Sequence, residues 1–117
     1  LQKHFSDVAN KVKATENVVE KRAILENSFK DMSEALDKVQ GSFLVSKEDQ
    51  AGIEGLKSIL KDNQDELAGI NGYERVPDSQ LNNFSNYVVQ NMPQADHMIT
   101  ISLVSALLIV ILLVLLL

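Results

Sequence analysis

Few side chains in this sequence have the type and spacing that chemistry requires. Its two histidines, His4 and His97, stand at opposite ends of the polar part of the chain. Neither has a second histidine or a pair of acids at ligand spacing, so no metal centre is expected. His97, next to the apolar C-terminal run, has the titration range of a pH sensor, but a solvated interfacial histidine is the plainer reading. The acids Asp62, Asp65 and Glu66 cluster on what helical spacing makes an outer face. They lack the apolar pocket that raises a carboxyl's pKa for acid–base work. No glycine-rich phosphate loop follows a strand, and no nucleophile has a nearby base. There are 0 cysteines, which excludes disulfides and thiolate metal sites. The chain reads as a protein that is not an enzyme and needs no cofactor.

Charge excludes a further class. All 11 Lys and Arg lie at or before Arg75, interspersed with acids, and the net charge is −5. No basic patch results, so no nucleic-acid partner is expected. Beyond Arg75 the only charged residues are Asp78 and Asp96. Asn83-Phe84-Ser85 is a sequon, which makes Asn83 a possible glycosylation site on an extracytosolic surface.

The dominant element is the run from Met98 to Leu117, which has no charge and no proline. Twenty helical residues span roughly 30 Å, the thickness of a bilayer's hydrocarbon core, and lipid requires the backbone to bond internally. Residues 98–117 are therefore expected to form a single transmembrane helix, with the bilayer as one partner. Within it, Ser102 and Ala106 give a small-xxx-small pair, a weak signal for helix association. Positively charged residues favour the cytosolic flank of a span, and Val76 to His97 contain none. The polar part is thus expected outside the cytosol. The chain begins at Leu1 with no signal-peptide pattern and ends on Leu117 inside the apolar run, which reads as a processed product or a fragment.

The polar part reads as all-α. Residues 1–40 are expected to be one long amphipathic helix, with Leu1, Phe5, Val8 and Val12 on one face and Leu25, Phe29, Met32, Leu36 and Val39 continuing the stripe. The two runs differ in register, which a skip near Thr15 to Arg22 would reconcile, as stutters do in coiled coils. Gly41-Ser42 is the expected stop, and 41–46 a connector. Ser46 with Asp49 resembles a capping box and opens a second helix over 47–70. Its stripe of Ile53, Leu56, Leu60, Asn63, Leu67 and Ile70 follows 3-4 spacing without a break. Asn63 at a core position either sets register and oligomer number, as buried asparagines do in coiled coils, or sits at the wet margin of the stripe. Residues 71–78 read as a linker, with Asp78 and Ser79 as candidate caps for a short membrane-proximal helix over 79–91. Met92-Pro93 is expected to break that helix, leaving 92–97 as a joint.

The expected architecture is an extended helical or coiled-coil stalk with a C-terminal single transmembrane helix. Leu25, Phe29, Met32, Leu36, Val39, Ile53, Leu56, Leu60, Asn63 and Leu67 would be its oligomerisation seam. The function expected of it is to oligomerise, or to dock partner helical subunits, at a membrane. Two heptad segments joined by a connector, then a sequon-bearing helix and an anchor, also resemble the stem of a class I viral fusion protein. That likeness implies a trimeric helical core that draws membranes together. The cysteine loop and the N-terminal fusion peptide usual in that family have no counterpart here.

Overall fold

Thr15-Glu16-Asn17 ends one helix and starts the next. Helix α1 covers Gln2–Ala14, and the Thr15 hydroxyl donates back to the Lys11 carbonyl at 2.7 Å. Helix α2 covers Val18–Gln40, and the Asn17 Oδ1 accepts the amides of Val19 at 2.9 Å and Glu20 at 3.2 Å. Such a cap satisfies donors that the first helical turn cannot pair internally. The expected single helix over 1–40 is therefore corrected to two, and the register slip marks a turn rather than a stutter.

The computed structural model describes residues 2–41 and 46–96. Leu1, His97, residues 42–45 of the connector and the apolar run 98–117 lie outside the described residues. Among those described, no helix is long and apolar enough to cross a membrane. Helix α3, Lys47–Ala68, starts where Ser46 Oγ accepts the Asp49 amide at 3.2 Å and stops at Gly69, in the left-handed region at φ 76°. A 3-10 turn over Asp78–Gln80 leads into α4, Leu81–Asp96. Neither Asp78 nor Ser79 caps that turn with its side chain. Helix α4 also runs through Pro93 to Asp96, so the expected break at Met92-Pro93 is corrected. A proline this near the helix end forfeits one backbone bond, while the preceding turns packed on α1 hold the helix direction.

Cross-links between helices fix their directions. Gln40 donates to Glu54 at 2.6 Å near one end, and Arg22 donates to the Leu67 carbonyl at 3.0 Å near the other, so α2 and α3 are antiparallel. Lys21 donates to Asn82 at 2.9 Å, which sets the start of α4 beside the start of α2. Helix α4 packs mainly along α1, and α2 mainly along α3. The result is an up-down-up-down four-helix bundle. Residue 96 leaves from one end, and the 15–17 turn and the 69–77 loop lie at the other. The described residues fit within 42 × 32 × 22 Å, whereas one straight helix over 1–40 would be about 60 Å long. All-α is the observed class; among the described residues no extended coiled coil is present.

The core explains the closure. Phe5 of α1, Phe29 of α2 and Phe84 of α4 form a row of rings with centroids 5.7 and 6.3 Å apart, the second contact edge to face. Each is at most 6% exposed. Truncating Phe29, which is fully buried, is expected to cost about 3–5 kcal/mol, a large share of the 5–15 kcal/mol typical of a small domain. Val19 is 75% exposed, and its replacement by alanine is expected to stay within about 0.5 kcal/mol. Urea unfolding of Phe29→Ala and Val19→Ala, followed by helical circular dichroism, measures that contrast.

Candidate docking cleft

The loop at the far end of the bundle is built from polar groups taken out of water. Asp65, near the end of α3, is 6% exposed. Its Oδ2 accepts Asn71 Nδ2 at 2.9 Å and Lys61 Nζ at 3.0 Å, and its carbonyl caps the helix by accepting the Gly69 and Ile70 amides. Asp65 is thus corrected from an outer-face acid to the post around which the loop winds. The Asn71 amide, with help from Lys61, holds its carboxyl below the ordinary value of 3.8. Gly69 makes the return tight, because a Cβ there would meet the Arg75 backbone nitrogen at 2.5 Å.

Arg22 closes the loop against α2. Besides the Leu67 carbonyl, its guanidinium donates to the Val76 carbonyl at 2.6 Å and to Asp78 Oδ1 at 2.9 Å. Periodicity placed Arg22 at a skip in the stripe; its partners lie 45 to 56 residues away and left no mark in local spacing.

This bracing leaves a cleft between α3, α4 and the loop. It measures about 280 Å³ and is lined by Ile59, Asp62, Asn63, Glu66, Tyr73, Tyr87 and Asn91. A second cleft of about 400 Å³ adjoins it, shares Glu66 and Tyr87, and adds Glu74, Arg75, Val76, Pro77, Gln80, Asn83 and Phe84. The two form one groove. Tyr73 and Tyr87 are 41% and 45% exposed, and Tyr87 extends the core's row of rings, 6.1 Å from Phe84. Asp62 foremost, with burial and Glu66, pushes the Tyr73 hydroxyl above its ordinary pKa of 10.0. Asp62, Glu66 and Glu74 make no salt bridge with any described residue; Lys61 is held by Asp65, and Arg75 turns toward Asp78. Asn63 is 3% exposed, and its Nδ2 has no hydrogen-bond partner. An orphaned buried donor costs about 1–3 kcal/mol.

The ten expected seam residues are placed elsewhere than on a surface. Leu25, Phe29, Met32, Leu36, Val39, Ile53, Leu56, Leu60, Asn63 and Leu67 are each at most 5% exposed, packed within one chain. Only Asn63 also reaches the groove. Asn83 is exposed on α4, with its Nδ2 donating to Gln80 at 2.8 Å, while Ser85 of the same sequon is buried and donates to the Asn82 carbonyl. Among the described residues no group of histidines and acids is placed to hold a metal ion. Sequence reasoning missed Tyr73 and Tyr87; the absence of tryptophan, and of any tyrosine elsewhere in the chain, was the available signal. Comparisons with protein families, curated proteins and solved structures return no match to this chain.

Two variants test the loop. A carboxyl whose folded pKa is depressed contributes stability that is present above its unfolded value and lost as the pH falls through the folded one. Asp65→Asn is therefore expected to be less stable than the native chain at pH 7. In acid titrations of the unfolding midpoint, the difference should begin to shrink near the ordinary value of 3.8 and vanish only below the depressed folded value. Gly69→Ala, strained in φ and clashing with backbone, is expected to lose more than about 1 kcal/mol by the same unfolding measurement.

Proposed function

We propose that this chain is a membrane-tethered helical docking module, without enzymatic activity, whose bundle stands outside the cytosol and holds a partner protein near a bilayer. One observation carries the reading: a charge-free run of bilayer length, 98–117, follows α4 with only His97 between them. Two features support the rest. The flank from Val76 to His97 has no lysine or arginine, which disfavours the cytosolic side. The bundle closes its apolar seam within one chain and leaves an acidic, aromatic groove open along α3, α4 and the 69–77 loop. Copies meeting through the seam would first have to open the bundle, so partners of another kind are preferred at the groove.

Cell fractionation tests this. The full chain is expected to stay with membranes through alkaline carbonate extraction, and a chain ending at Asp96 is expected to leave with the soluble fraction. Protease added to sealed cells should reach the 69–77 loop. Release of the full chain by carbonate would reject the tether, and protection of the loop would reject the orientation.

A further inference from the structure

We infer that the groove between α3, α4 and the 69–77 loop recognises a basic peptide segment: Asp62 and Glu66 take the cationic side chain of a lysine or arginine, and Asn63 takes a main-chain carbonyl beside it. The inference deepens the docking reading and rests on it for there being a partner.

Three independent features converge on that chemistry. The first is charge. Asp62 and Glu66 lie one turn apart on α3, line the same cleft and have no salt-bridge partner among the described residues. Carboxylates so placed, without a cation of their own, attract one from a partner. The second is the aromatic wall. Tyr73 and Tyr87 flank those acids half-exposed, and tyrosine faces attract guanidinium and ammonium groups. The third is the Asn63 amide, 97% buried by its 3% exposure and with Nδ2 unpartnered. A donor without an acceptor asks for an oxygen. A metal ion or a polyamine would satisfy the acids and leave that donor orphaned, whereas a peptide brings a cation and carbonyls together.

Shape agrees with an extended occupant. The two compartments, about 280 and 400 Å³, share Glu66 and Tyr87. Both are open clefts rather than enclosed cavities, and side by side they leave room for a short extended segment. Glu74 gives the second compartment its own acid.

The chain carries its own reporter. It has no tryptophan, and its 2 tyrosines are Tyr73 and Tyr87, so ultraviolet emission comes from the groove. The test uses the full chain in uncharged detergent micelles, which are suitable whether or not the chain is tethered in cells. The probes are a blocked Gly-Arg-Gly-Arg-Gly peptide, the same peptide with citrulline for arginine, and spermidine. The arginine peptide should change the emission saturably below about 1 mM and shift the side-chain amide resonance of Asn63. The citrulline peptide, and the Asp62→Asn/Glu66→Gln variant, should bind at least about tenfold more weakly. Asn63→Leu should unfold at a higher temperature yet bind the arginine peptide more weakly, a pairing that a purely structural asparagine would not give. No saturable response, or an equal response to spermidine with Asn63 unmoved, overturns the proposal. Self-association that shifts the same tyrosines without peptide assigns the groove to a second copy and overturns it too. The tether is read separately by carbonate extraction, so either idea fails alone.

Discussion

Arg22 has only 11% of its side chain exposed, and a guanidinium so placed must find acceptors or lose the free energy of its hydration. It finds three, each from a different piece of chain: the last turn of α3 at Leu67, the loop at Val76 and the 3-10 turn at Asp78. Two are backbone carbonyls that no helix could pair at that point. The planar fork serves all three from two nitrogens held in fixed geometry, where a lysine's ammonium would have to gather them about one point. Tyr73 stands over Asp62 and Glu66 because the loop that carries it is fastened at both ends by this one side chain and by Asp65.

The bundle treats its interior polar groups in two ways. Asp65 is buried and satisfied: an amide and an ammonium meet its carboxylate, and two backbone amides meet its carbonyl. Asn63, two residues earlier and buried as deeply, is left with an unpaired donor. The first arrangement holds a loop in place. The second lowers stability without holding anything in the isolated chain, and it occurs at the floor of the groove. Proteins break such local rules mostly at functional or strained positions.

The parts of this fold legible in the sequence were those written in adjacent residues. The 3-4 spacing from Ile53 to Leu67, the serine cap at Ser46 and the glycine stop at Gly69 all lie where their neighbours place them. Asn17 followed by Glu20 is also a helix-start pattern, but the long apolar stripe around it hid the signal. What spacing could not disclose was the owner of the opposing stripe. A heptad face packs equally well on a second chain or on a later helix of its own, and only the turn at 15–17 decides between them. The groove was less legible still. Tyr73 belongs to a loop without periodicity, and its approach to Tyr87 depends on Arg22 reaching more than 50 residues along the chain.

The pairing of the first helix with the last has a consequence for how the protein is made. During synthesis, α1 leaves the ribosome with Phe5, Val8 and Val12 lacking their main partner, because α4 begins almost seventy residues later. At roughly 5–20 residues per second that face waits several seconds, long after α2 and α3 have been able to zip together locally. Cooperative closure therefore waits until α4 has emerged. A nascent bundle of this design is half-assembled from the emergence of α1 to that of α4, and this vulnerable interval is set by the ribosome rather than by the stability of the finished bundle.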